Sequence, residues 1–151
     1  MLKFPCDIYW RRSTIMDKKE ILEFIKASPM VYMATVEGDK PHVRGMETFR
    51  VDENGLIFYT GKYKDVYKQL EKNSEVELCY VKELRQVRLS GRMELVDDLE
   101  LKKEIVEARP FMKPFIEQQG YDAMGVMRFK KGKATTWSMQ DMAAPKTYTD
   151  I

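Results

Sequence analysis

The sequence predicts an α+β fold dominated by about six short antiparallel strands that close into a small barrel, with a few helices packed around it. Three observations predict it. The chain has 151 residues, 44% hydrophobic and 33% charged, which suits one folded domain with its own core. The hydrophobic period changes from 3.6 to 2 just after Pro29. From there on, turn signals such as Gly38-Asp39 and Asn54-Gly55 punctuate short runs rich in Val, Tyr, Thr and Phe.

Residues 1–16 have no sustained period and read as an N-terminal arm ending in Arg11-Arg12-Ser13-Thr14. Asp17 and Glu20 have the spacing of a capping box, and Ile21, Leu22 and Ile25 follow at helical intervals, so a helix is expected over 17–28, stopped by Pro29. Residues 30–37 and 41–52 then read as a hairpin, the second strand alternating Val43, Gly45, Glu47, Phe49 and Val51 against His42, Arg44, Met46, Thr48 and Arg50. Asn54-Gly55 tolerates positive φ at both positions and leads into a strand over 56–60. A short helix over 64–72 places Val66 and Leu70 four apart, and strands at 75–81 and 86–96 follow across a tight charged link, 82–85. Asp97 or Asp98 caps a helix carrying Leu101, Ile105 and Ala108; Pro110 interrupts it, and a second helical piece ends at Gly120. Residues 124–130 and 134–139 form one bent strand or a final hairpin, and 140–151 is a C-terminal tail. The domain proper is expected at 17–139, with no internal repeat.

Composition excludes several functions. Lys and Arg number 26 against 24 Asp and Glu, so the net charge of +2 offers no broad phosphate-binding surface. No apolar run approaches the 18 or so residues of a spanning helix, and the N-terminus lacks a secretory h-region, so a cytoplasmic protein without membrane association is expected. Cys6 and Cys79 fit neither a redox pair nor a zinc site and read as reduced thiols. With His42 as its single histidine, the chain supplies no metal motif, and His42 has no identifiable catalytic partner. Phosphate loops of the known glycine-rich types are absent.

What remains is a set of cations near strand ends. Arg44 lies mid-strand, while Lys62 and Lys64 flank a strand exit at the start of a helix, beside the Thr60 hydroxyl. Orphan amides at a helix start, two lysines and an inward-facing arginine are what a dianionic phosphate requires. The same cations also suit the solvated faces of strands, and the pattern leaves both open.

Three segments carry a family resemblance: Pro41-His42-Val43-Arg44-Gly45-Met46, then residues 56–64, LIFYTGKYK, then residues 69–78, QLEKNSEVEL. Arg85-Gln86-Val87-Arg88-Leu89-Ser90-Gly91-Arg92 and Ala134-Thr135-Thr136-Trp137 add to it in the same order. The sequence resembles the pyridoxamine 5′-phosphate oxidase-like family of FMN-binding split barrels. The resemblance implies a six-stranded antiparallel split β-barrel of Greek-key type with flanking helices, and a homodimer with FMN at the subunit interface. Arg44 and Lys64 would hold the FMN phosphate, with Lys62 as a second cation and the Thr60 hydroxyl beside them. Backbone groups of Arg44, Gly45 and Met46 and of Tyr59 and Thr60 would line the ring and ribityl chain. Gln86 would reach the flavin, and Trp137 would meet the ring from the other subunit.

Two departures argue against oxidation of pyridoxamine phosphate itself. Phe49 stands where that enzyme carries a lysine, and the tail lacks its arginine-rich segment. The resulting expectation is a small flavin-dependent oxidoreductase acting on a small-molecule substrate or a nicotinamide electron donor. The alternatives are a flavin- or haem-binding or sensing protein without turnover, a deazaflavin in place of FMN, and a single-strand nucleic-acid-binding barrel, against which the balanced charge argues.

Overall fold

The computed structural model describes residues 15–151. Cys6 and the 11–14 cluster of the expected arm lie outside the described residues. Helix α1 (Lys18–Ala27) begins as its sequence dictates: the Glu20 amide donates to the Asp17 carboxylate at 2.8 Å and the Asp17 amide to the Glu20 carboxylate at 3.0 Å. Its apolar stripe, Ile21 and Ile25, is completely buried.

Strand β1 (Met30–Glu37) turns through Gly38, at φ +62°, into β2 (Lys40–Glu47), in continuous register from Met30 opposite Glu47 to Glu37 opposite Lys40. The single strand expected over 41–52 is in fact two. After Glu47 the Thr48 amide turns to the Pro29 carbonyl and the Phe49 amide to the Ile57 carbonyl, and β3 (Arg50–Asp52) pairs with β4 (Gly55–Gly61) instead of β1. Side-chain alternation runs on through such a corner, so the change of partner leaves no trace in the hydrophobic pattern.

Helix α2 (Asp65–Lys72) leads to the hairpin of β5 (Glu75–Lys82) and β6 (Arg85–Val96). Its two-residue turn puts Glu83 and Leu84 at φ +47° and +61°, a left-handed geometry taken here without glycine or asparagine. Helix α3 (Leu99–Ala108), capped by Asp98 through the Leu101 amide, and α4 (Lys113–Gln119), ended by Gly120 at φ +77°, flank the break at Pro110. The last segment is one bent strand, β7 (Met124–Ser138), whose register with β6 shifts between Gly91 and Met93. Gly91 and Gly132 face each other there; a Cβ on Gly132 would sit 2.3 Å from the Ser90 carbonyl oxygen, so the bend needs glycine. The segment read as a tail returns to the sheet: β8 (Thr149–Asp150) pairs with β7, and Ile151 is buried.

The eight strands form one antiparallel sheet in the order β2-β1-β5-β6-β7-β4-β3, with β8 on β7. Its two edges, β2 and β3, are consecutive in the chain, so the corner at Thr48-Phe49 curls the sheet into the open, split barrel that the resemblance implies, short of the full closure that the strand pattern alone suggests. Two clusters hold it. Leu56, Phe58, Leu78, Tyr80, Leu89 and Phe129 fill the interior with Ile21 and Ile25, while Ile57, Met124 and Val126 pack outside against Leu101 and Ile105 of α3. β4 is therefore buried on both faces, which accounts for its unbroken apolar run. At the corner, the hydroxyls of Thr48 and fully buried Tyr80 meet at 2.6 Å, and burial pushes the Tyr80 phenol well above its ordinary pKa. Tyr80→Phe leaves Thr48 without its partner and is expected to cost about 1–2 kcal/mol in urea unfolding, with the fold retained.

Candidate functional site

Strand β2 carries Arg44, Gly45 and Met46; β4 ends in Tyr59, Thr60 and Gly61; the loop after it delivers Tyr63 and Lys64 to the start of α2. These residues line one open cleft of about 430 Å³, completed by Glu47, by Val66, by Phe111 and Met112 of the α3–α4 connection and by Phe115 of α4. That volume lies within the range of small-molecule and cofactor sites.

Arg44 is held in the cleft by several hydrogen bonds. Its Nη1 donates to the Thr35 hydroxyl at 2.7 Å and the Met33 carbonyl at 3.1 Å, and its Nη2 to the Gln69 side-chain carbonyl at 2.8 Å. Thr35 and Gln69 are themselves buried, and the Thr35 hydroxyl donates to the same Gln69 oxygen at 2.7 Å. Every one of these acceptors is neutral. Burial pulls the Arg44 pKa down from its ordinary value while Asp65, the acidic residue of the first turn of α2, works against that shift. A guanidinium remains protonated regardless. A half-buried cation with neutral partners, beside exposed Lys64, a buried Thr60 hydroxyl and the side-chain-uncapped start of α2, fits a phosphate group.

Of the nine residues expected at the site, Arg44, Gly45, Met46, Tyr59, Thr60 and Lys64 therefore share one cleft. The other three do not line it. Lys62 turns its ammonium over the Tyr67 ring, 6.0 Å from the centroid. Gln86 and Trp137 pair directly across β6 and β7 and line a separate shallow recess with Met16 and Ser138. Sequence reasoning missed Thr35, Gln69 and the aromatic wall. Gln69 carried a signal, a polar residue on the α2 stripe that Val66 and Leu70 define, whereas Phe111 and Phe115 reach the cleft only through the packing of α3 and α4. His42 lies outside it, its Nε2 3.6 Å from Glu37. Among the described residues no group of His, Cys, Asp and Glu is arranged to hold a metal ion, and no helix is long and apolar enough to cross a membrane.

The sequence model of the pyridoxamine 5′-phosphate oxidase family matches residues 17–138, and the chain belongs to that family. Its fold is the split barrel of a flavin-binding, oxidoreductase-like family. A NimC/NimA family protein from Clostridium acetobutylicum is 29% identical over 88% of this chain and 91% of its own, with a TM-score of 0.70. General stress protein 26 from Bacillus anthracis shares the fold at 16% identity, over 89% of this chain and 98% of that one, with a TM-score of 0.64. So does an FAD-binding protein from Mesorhizobium loti, at 13% identity over 80% and 94% of the two chains, with a TM-score of 0.61. No curated protein sequence matches significantly.

Replacing Gln69 by leucine removes the acceptor shared by Arg44 and Thr35 and leaves both donors short of a partner. Unfolding by urea is expected to show a loss of about 1–3 kcal/mol.

Proposed function

We propose that the cleft binds FMN through its phosphate and that the protein is a dimeric, FMN-dependent oxidoreductase whose substrate is not pyridoxamine phosphate. The observation that carries the reading is Arg44, fixed on buried neutral groups with its charge uncompensated by a bonded carboxylate, in one cleft with Lys64 and Thr60. Arg44, Lys64, Thr60 and the first turn of α2 would hold the phosphate. Backbone groups of Gly45, Met46 and Tyr59 would border the ring. Bound there, the flavin supplies the electron-transfer chemistry, and the chain's own task is to anchor the phosphate, orient the ring and limit its exposure to water.

The outer face of the sheet supports the dimer. Met30, Tyr32, Val43 and Val81, on β1, β2 and β5, are 61%, 58%, 69% and 45% exposed. Tyr32 stands opposite Gly45 and Cys79, and Val81 opposite Gln86, which faces Trp137, so this apolar surface continues into both residues that fail to reach the cleft of their own chain. Packed face to face, two copies would bury it and offer Gln86 and Trp137 to the partner's cleft. That arrangement accounts for their distance from the cleft of their own chain. Phe49 agrees with a different substrate: where the resemblance expects a lysine, its ring lies under the Arg109 guanidinium, 5.4 Å from centroid to charge.

Arg44→Ala tests the reading. Loss of a charge-assisted contact worth about 1.5–3 kcal/mol corresponds to FMN binding weakened by about 10- to 150-fold, with riboflavin, which lacks the phosphate, bound nearly as before. Equal losses for both ligands in a fluorescence titration would place the phosphate elsewhere.

A further inference from the structure

Toward the α3–α4 connection the lining of the cleft changes character. Glu47, a cleft residue, is ion-paired with Arg109 at 2.9 Å, and the same guanidinium lies over the Phe49 ring. The two charges at this end thus cancel each other, and Arg109 is not left over for an anionic group. Phe49 and Tyr59 meet edge to face at 6.1 Å, and Tyr63 and Phe115 form a tilted pair at 6.2 Å. Tyr63 and Phe111 stand at the rim, 63% and 69% exposed, large rings left in water beside a concave surface. A flat ring brought between them removes apolar area from water and gains ring-to-ring contact. The Tyr59 hydroxyl supplies a polar handle beside this wall. It stays protonated, because burial and Glu47 raise its pKa further than Arg109 lowers it, and it is available to donate.

We propose that this end of the cleft is a second subsite, which takes a flat, uncharged aromatic molecule bearing a hydrogen-bond acceptor, walled by Tyr63, Phe111 and Phe115 and oriented by the Tyr59 hydroxyl. It rests on the reading of Arg44, Lys64 and Thr60 as the flavin-phosphate site and adds the class of the second ligand. With Arg44 and Lys64 engaged by the flavin phosphate, the Glu47–Arg109 pair leaves Arg109 no free charge for a second phosphate, so phosphate-bearing ligands are disfavoured here.

The test is calorimetric titration of the FMN-saturated protein with menadione, an uncharged naphthoquinone, and with pyridoxine 5′-phosphate. Menadione is expected to bind saturably and pyridoxine 5′-phosphate not to bind. Phe111→Ala and Tyr59→Phe should each weaken menadione by about fivefold, the size of one ring contact or one hydrogen bond. Glu47→Gln, which releases Arg109, should make binding of pyridoxine 5′-phosphate measurable, a gain that general damage to the fold does not produce. Retention of FMN without menadione binding, or menadione affinity indifferent to both aromatic variants, overturns the subsite. If FMN is not retained, the flavin reading fails separately, and the same titration of the FMN-free protein still decides: binding that Phe111→Ala weakens upholds the subsite, and absence of binding overturns it.

Discussion

A guanidinium held below the surface without a carboxylate is costly unless each of its hydrogen bonds is made and its charge finds a later use. Arg44 meets the first condition through three elements at once. Its own strand is β2, its Nη1 binds the Met33 carbonyl and Thr35 hydroxyl of β1, and its Nη2 binds Gln69 of α2. Gln69 extends the chain to Glu37 through its amide nitrogen at 3.4 Å. One side chain therefore locks the edge hairpin to the helix whose N-terminus faces the cleft, and the position of Arg44 relative to Thr60 and Lys64 depends on that lock.

The second constraint is the corner at Thr48-Phe49. Because β2 and β3 are successive in the chain yet lie at opposite edges of the sheet, the barrel stays split. The cleft draws its lining from β2, β4 and the α3–α4 connection. Arg109, at the C-terminal end of α3, then ties that connection to Glu47 at the end of β2 across 62 residues of sequence. The same corner that gives the fold its shape thus exposes the groups that give the cleft its chemistry.

Much of this was legible in the residues. The capping box at Asp17, the Asn54-Gly55 turn, the Asp98 cap and the alternation of β6 each report a local interaction, and each element stands close to where its pattern puts it. The partner change after Glu47 was not legible, since alternation says which face a residue occupies and not which strand it pairs with. The return of Thr149 and Asp150 to β7 was equally hidden, being set by a contact more than ten residues away in sequence. At the site, Arg44, Thr60 and Lys64 could be selected by charge and by position near a helix start. Gln86 and Trp137 came from resemblance alone, and a single chain keeps them out of the cleft. Phe111 and Phe115 belong to it only because α3 and α4 fold back over β4, which no local pattern encodes.

Sedimentation velocity of the protein equilibrated with FMN, followed at the flavin absorbance and in the far ultraviolet, tests the central claim directly. Flavin absorbance travelling with a species of twice the chain mass, at one FMN per chain, is the predicted result. Flavin left unsedimented while the protein moves away from it would contradict the account.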